Sequence, residues 1–185
     1  MRQSLKVRDW PPVRRVAAEG FELCGLTAHH IQPFYRSIDD DVRHWLGYTQ
    51  QNVDSFGWLL QLVVRYPGRV PPLRPLAVVR DDQFAGVYLL APSIHRRDRW
   101  GVQLAWWLAP EARGQGLGRA SLDAALGYVH RDLHLRVLMV TEADNVRAVR
   151  QIEGAGAVLA REELTTLANG RVTMARRYHH GTGST

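Results

Sequence analysis

Between Arg113 and Ala120 the chain reads Arg-Gly-Gln-Gly-Leu-Gly-Arg-Ala, three glycines held between two arginines. Glycine at that density leaves the backbone bare and free to take positive φ. Successive N–H groups can then converge on one anion, and a helix that starts at the same point adds the positive end of its dipole. Arg113 and Arg119 bring full charges to the rim. The chemistry this stretch supports is the holding of a pyrophosphate, with contacts expected from Arg113, Gly114, Gln115, Gly116, Leu117, Gly118, Arg119 and Ala120. It is not a Walker loop, because no Gly-Lys-Ser/Thr follows, and its glycine spacing and late position do not suit a dinucleotide fingerprint.

Such a cradle needs a strand before it and a helix behind it. Gly101 to Leu108 is an apolar run that predicts the strand, and Ala109-Pro110-Glu111-Ala112 predicts a turn. Leu122, Ala125, Leu126 and Val129 recur at helical spacing and predict a helix over 121–130. Upstream, Val13–Ala18 and Phe21–Leu26 flank a Glu19-Gly20 hairpin turn. Thr27 is a cap for a helix over 28–36, and the acids Asp39, Asp40 and Asp41 open a second helix. A third runs from 51 to 66, stopped by Pro67-Gly68. Strands are expected at 76–80 and 84–90, with a charged loop from Ala91 to Arg99. Downstream come a short buried strand at 135–141, a helix over 145–153, and two strands, 157–167 and 171–178, joined at Asn169-Gly170. Neither repeat nor linker interrupts the chain. The expected organisation is an N-terminal arm at 1–12, one domain at 13–178 and a polar tail at 179–185.

The sequence has 185 residues, enough for one domain with a sizeable core, and a net charge of +6. Nearly all the basicity is arginine; Lys6 is the only lysine. Two readings stand: codon usage in a GC-rich genome, or an anionic partner such as a nucleotide cofactor or RNA. The one cysteine, Cys24, has no partner for an internal disulfide and sits among Phe21, Leu23 and Leu26 as a strand packing residue. The N-terminus lacks a signal-peptide stretch and no apolar run would span a bilayer, so a cytoplasmic protein without membrane contact is expected, as monomer or homodimer. No metal site is expected.

The pattern Arg-x-x-Gly-x-Gly between strand and helix, extended by Trp106-Trp107-Leu108-Ala109-Pro110-Glu111, resembles motif A of the GNAT acyltransferases. The resemblance covers roughly 13–178. Leu23-x-x-Leu26-Thr27 and Val42-Arg43-His44-Trp45-Leu46-Gly47 are similar to the branch that contains the ribosomal-protein N-terminal (Rim-type) acetyltransferases. It implies an α/β (α+β) fold: a mixed, mostly antiparallel sheet of about seven strands, flanked by helices. The cradle strand and the 135–141 strand should splay apart to hold a pantetheine arm. The implied cofactor is acetyl-CoA or another acyl-CoA. Its contacts would come from Trp107, Leu108 and Ala109, the Arg113–Ala120 loop, and Asn145 on the helix that resembles the family's Asn-bearing helix. Backbone N–H groups near Leu108 would polarise the thioester carbonyl.

Departures from the family pattern fall on proton handling. Where this branch often carries a Glu base on the cradle strand, the chain has Gln103. Where relatives carry a Ser or a Tyr as acid for the leaving thiolate, it has Ala148 and Ile152. Glu142, at the end of the neighbouring strand, is the candidate base, and Asn145 completes the catalytic pair. Tyr35, His44, Trp45 and Trp58 are candidates to line the acceptor site; His30 is a further candidate base. The leading expectation is an N-acyltransferase acting on the primary amine of a small molecule or peptide. The alternatives are an amide-forming transferase that takes its acyl group from an aminoacyl-tRNA, and a non-catalytic module that binds acyl-CoA or a peptide.

Overall fold

The sheet grows by hairpins, and each tight one is set by residues that tolerate positive φ. The computed structural model describes residues 15–65, 73–95 and 99–181. Strand β1 (Val16–Ala18) turns at Glu19-Gly20 into β2 (Phe21–Gly25), with Gly20 at φ 76°. β3 (Arg74–Arg80) turns into β4 (Gln83–His95) through Asp81 and Asp82, at φ 49° and 57°, the two-residue turn whose twist matches the strands. Between the two hairpins, a 3-10 turn at Ala28–His30 leads into α1 (Ile31–Arg36), followed by α2 (Asp40–Leu46) and α3 (Gln50–Arg65). Asp39 caps α2 by accepting from the Val42 N–H at 2.9 Å, and Gly47, at φ 63°, ends it.

β5 (Arg99–Leu108) runs through a 3-10 turn at Pro110–Ala112 to the glycine loop and α4 (Leu117–Arg131). β6 (Arg136–Glu142), α5 (Val146–Gly154) and the hairpin of β7 (Val158–Thr166) and β8 (Val172–His180) complete the chain. The eight strands lie in the order β1-β2-β3-β4-β5-β6-β8-β7, antiparallel at every junction except β5–β6. Helices cover both faces. Leu122, Ala125 and Val129 of α4 and Ile152 of α5 close one core; Phe34, Val42 and Leu60 of the first three helices close the other. Trp106 packs on the first and Trp107 on the second, as alternation along β5 requires. Cys24 packs against the second core.

Three expectations change. The sheet has eight strands rather than about seven. The charged loop expected at 91–99 is mostly ladder, because Ala91 to His95 pair with Gln103 to Arg99. The polar tail expected from His179 starts later: His179 and His180 pair with Leu138 and Val137 on β6. His180 also lies 2.7 Å from His130 and 3.0 Å from the Ala155 carbonyl. In both segments cross-strand bonding overrides a polar composition that reads as loop. The arm at 1–12, the Pro67-Gly68 stop, the loop residues Arg96, Arg97 and Asp98, and positions 182–185 lie outside the described residues.

Candidate active site

β5 and β6 begin together and then part. Their parallel register runs from Gly101↔Arg136 to Leu104↔Met139 and stops. Beyond it, β5 stays on β4 and β6 stays on β8. Ala105, Trp106, Trp107 and Leu108 face Val140 and Thr141 across a cavity of about 420 Å³. β5 still carries unused backbone donors there. Ala109 N–H bonds the Ala85 carbonyl at 2.9 Å, and Leu108 sits opposite Gly86. Antiparallel bonding alternates, so the N–H groups of Leu108 and Trp106 are turned away from β4 and into the gap. The Leu108 carbonyl, turned the same way, accepts from Arg113 Nε at 3.0 Å.

The glycine loop forms the end wall. Gly114 and Gly116 take φ of 74° and 77°, and a Cβ built on either would meet nothing within 4 Å. Both observations suit a backbone cradle facing open space: the conformation excludes most side chains, and the space excludes a packing role. Gly118 differs. Its φ is not positive, and an added Cβ would lie 3.0 Å from Gln151 Nε2. Its task is close approach between α4 and α5, where the Gln151 amide donates to the Gly118 carbonyl. Gln115 bonds Arg80 at 2.6 Å and the Glu111 carbonyl at 2.9 Å, bracing the loop from outside. Gly114, Gly116, Gly118 and Arg119 line the cavity.

The opening between the strand ends is crossed by α2, which an arginine pins at each end. At its N-terminus, Arg113 grips Asp39 with two bonds, 2.7 and 3.1 Å, while its Nε holds the Leu108 carbonyl. At its C-terminus, Arg171 from the β7–β8 turn donates to the His44 carbonyl at 2.8 Å and forks onto Glu142 at 2.6 and 2.7 Å. One pin stands at the end of β5, the other at the end of β6. Between them Asp41, Val42, Trp45 and Leu46 roof the cavity. Asp41 accepts from the Trp45 indole at 3.1 Å and lies 3.6 and 3.8 Å from Arg113 and Arg147.

Both pinned carboxylates are weak proton acceptors. Burial pushes Glu142 up, but hydrogen bonds from Arg171 and Thr173 and the Arg171 charge outweigh it, and the net effect holds it below its ordinary range. Burial likewise raises Asp39 less than Arg113 and the Val42 N–H lower it.

The structure therefore redistributes the expected site. Trp107, Leu108, Arg113, Gly114, Gly116, Gly118, Arg119, Asn145 and Trp45 line the cavity. Arg113 is committed to Asp39 and Leu108, and Arg119 to Asp123 at 2.7 Å, so neither guanidinium stands as a free rim charge. Ala109 is 2% exposed, has its N–H spent on Ala85 and is not in the cavity lining. Leu117 is buried in the core, and Gln115 and Ala120 point elsewhere than the cavity lining. Asn145 accepts from the Ala148 N–H at 3.1 Å, a cap for α5, and still borders the cavity. Glu142 lies beneath the C-terminal pin rather than in the lining, its carboxylate filled by Arg171. His44 is exposed and stacks edge-on to Trp45 at 4.6 Å, outside the lining. Tyr35 packs against Gly57 on α3, where an added Cβ would collide with its ring, and is not at the cavity. Trp58 is on α3, with its side chain outside the described residues. His30 lies tilted against Phe84 with ring centroids 6.1 Å apart, outside the lining, and Gln103 is exposed outside the lining.

Residues the sequence reading passed over include Asp39 as a pin, Arg171, Gln151 and Arg147. Gln151 alone carried a usable signal, since its Ile152 and Val149 neighbours mark the buried face of α5. The pins join positions far apart in the chain and left no local trace.

Among the described residues, no helix is long and apolar enough to cross a membrane. A search of curated proteins finds none that matches. The model of the acetyltransferase (GNAT) domain matches residues 21–158. Among solved structures, the spermidine N-acetyltransferase of Vibrio cholerae, in complex with CoA and spermine, superposes with a TM-score of 0.70 at 18% identity, covering 88% of this chain and 96% of that one. The ribosomal-protein-S5-alanine acetyltransferase of Vibrio fischeri gives 0.72 at 16% identity, covering 90% and 96%. An acetyltransferase (GNAT family) of Bacillus anthracis gives 0.69 at 14%, covering 90% and 98%. At these identities the structures speak for the fold alone, while the family model takes in most of the chain itself: it belongs to the GNAT acetyltransferase family.

Proposed function

We propose that the chain transfers an acetyl group from acetyl-CoA to a primary amine. The observation that carries this reading is the gap between β5 and β6, bordered by unused N–H groups of Trp106 and Leu108 and closed by the Gly114–Gly116 backbone. The residues present fit the cofactor: the loop is open where a pyrophosphate would sit, and the gap is wide enough that the strands no longer pair. Acetyl-CoA, when bound, supplies the acyl group as a thioester.

The chain's own part is positioning. The Gly114–Gly116 amides hold an anion at the start of α4. The Trp106 and Leu108 amides hydrogen-bond groups laid along the gap, a carbonyl oxygen included, and favour negative charge on it. The roof of α2 places an amine beside that carbonyl, which converts a collision into a reaction of held partners. Held there, the thioester would supply its acyl group to the amine nitrogen, whose extra proton would pass to water, with the thiolate as the balancing leaving group. Glu142 is not the base in this reading, because Arg171 already fills its carboxylate. Deprotonation falls to solvent and to the amine's own ionisation, so kcat/KM should rise with pH along the amine's titration.

The test is release of free thiol from acetyl-CoA across a library of primary amines, with a mass increase of one acetyl group on the accepted amine. Absence of both, with every amine, removes the transferase reading.

A further inference from the structure

Resting on that reading, we infer that the acceptor is a monoamine with an apolar body of aromatic size, seated on the inner face of α2, rather than a polyamine. The loop and the strand gap account for two walls of the cavity by the anion and the extended arm they suit. Of the other two walls, α5 and its cap bring Asn145, Arg147, Ala148 and Gln151, and α2 brings Val42, Trp45 and Leu46 with Asp41 as its one charged member. The α2 wall is preformed. Arg113 and Arg171 fix α2 at both ends, and the Trp45 indole is held to Asp41 at 3.1 Å, which sets the ring's plane against the cavity.

Charge points the same way. A polyamine keeps two or more ammonium groups, each of which needs a carboxylate or equivalent acceptors when it leaves water. Among the described residues, the cavity is lined by one acid, Asp41, against three arginines: 113, 119 and 147. Asp41 is shared between two of those arginines and Trp45. The neighbouring acids are committed too, Asp39 to Arg113 and Glu142 to Arg171, with Asp144 acting on Arg171 as well. Among the described lining residues, a second ammonium would find no uncommitted carboxylate. A single ammonium against Val42, Trp45 and Leu46 is desolvated, which lowers its pKa and yields the neutral nucleophile without a side-chain base.

The experiment compares phenethylamine and spermidine as acceptors for the full chain with acetyl-CoA, following thiol release, while calorimetry measures CoA binding separately. The expected result is a kcat/KM for phenethylamine about a hundredfold above that for spermidine, the scale on which a site built for one body rejects another. Trp45→Ala should raise KM for phenethylamine about tenfold with a smaller change in kcat, and Trp45→Phe should restore most of it, because an aromatic face returns. Spermidine turned over as well as phenethylamine, or better, overturns the inference, as does a short polar peptide that outperforms both. An unchanged KM in Trp45→Ala, with CoA affinity intact, overturns the seat on α2. CoA binding with no turnover of any amine instead removes the transferase reading on which the inference rests.

Discussion

Two walls of the cavity are built in opposite ways. The glycine loop is local: eight consecutive residues place their own backbone, and Gly114 and Gly116 need only their φ to do so. The α2 roof is assembled at a distance. Its N-terminus is set by Arg113, 74 positions away in sequence, and its C-terminus by Arg171, 127 positions from His44. The contrast teaches where each function sits in the chain. On the proposed reading, anion binding would reside in backbone that almost any neighbouring sequence can carry, whereas the choice of acceptor would reside in side-chain pairs that join four separate segments. A change to the loop should therefore strike cofactor binding, and a change to a pin should strike the acceptor.

The sharpest break is Gly116→Val. A residue with a Cβ at φ 77° costs about 1–2 kcal/mol in backbone strain alone, and more for a branched one, and its methyls would enter the open space proposed for the anion. CoA affinity by calorimetry should fall by about a hundredfold or become undetectable. Gly118→Ala is the contrast. Its Cβ would press only on the end of the Gln151 side chain and Ala favours the helix, so the melting temperature should move little while CoA affinity changes less. Equal losses of affinity at both positions would erase the distinction between cradle and packing glycine.

Next in size are the pins. Arg171→Ala leaves Glu142, 4% exposed, without its counter-charge and with Thr173 as its remaining side-chain donor, and releases the His44 carbonyl. A displaced roof misplaces the amine, and a shift of about 1 Å costs up to about a hundredfold in rate. We expect kcat/KM for the acceptor to fall between about tenfold and a hundredfold, with CoA affinity within about threefold of wild type. Arg171→Lys should recover little, since a point charge cannot fork onto Glu142 and reach His44 together. Asp39→Asn at the other pin keeps the cap on Val42 and loses only the charge pair, so its effect should be the smaller of the two. If Arg113→Ala weakens CoA by tenfold or more while Asp39→Asn is silent, Arg113 serves the anion and not the roof.

What was legible in the sequence follows the same division. Gly116 and its neighbours announced a loop by residue type alone, and the periodicity of Leu122, Ala125, Leu126 and Val129 announced the helix behind it. The parting of β5 and β6 followed from resemblance and is visible in the register that ends at Leu104↔Met139. Glu142 was read by position along its strand, which cannot show that Arg171 returns from a distant hairpin to fill it. Asp39 was read as an acid suited to a helix start, which it is, but the cap hides its second task as a partner for Arg113. Side-chain pairing across long separations is set by the fold and leaves no pattern in any window of sequence.

A smaller effect separates the pins by pH. Asp39 and Glu142 are both held below their ordinary range in the fold. The unfolded chain therefore binds more protons than the native one in the interval between the two sets of values. Stability from the pins is complete above the unfolded carboxylate range of about pH 4, and is lost as pH falls through the lower folded values. The melting temperature should be level from about pH 7 to 5 on this account and decline below about 4. Glu142→Gln should start lower and decline less steeply, because one of the titrating partners is gone. A variant with an unchanged acid slope would mean that other carboxylates set the decline.

The smallest expected effect tests the alternative donor. An aminoacyl-tRNA would need cations free to meet phosphates, and the arginine excess invites that reading. Arg176 and Arg177 on β8 do not offer them: each donates its Nε to a carboxylate on β7, Glu162 and Glu163. Exposed pairs of this kind contribute roughly 0–1 kcal/mol, so changing both arginines to Gln should cost little stability and leave acetyl-CoA turnover near wild type. With total tRNA, binding should stay in the non-specific range of about 10⁻⁴ to 10⁻⁶ M and fade at physiological salt, with the same salt slope in the double variant. If phosphates do displace Glu162 and Glu163, each lost arginine should instead flatten the slope by about one unit. That result, together with turnover sensitive to ribonuclease, would move the donor from CoA to RNA. It would also make the outer hairpin, rather than the glycine loop, the region that holds the acyl carrier.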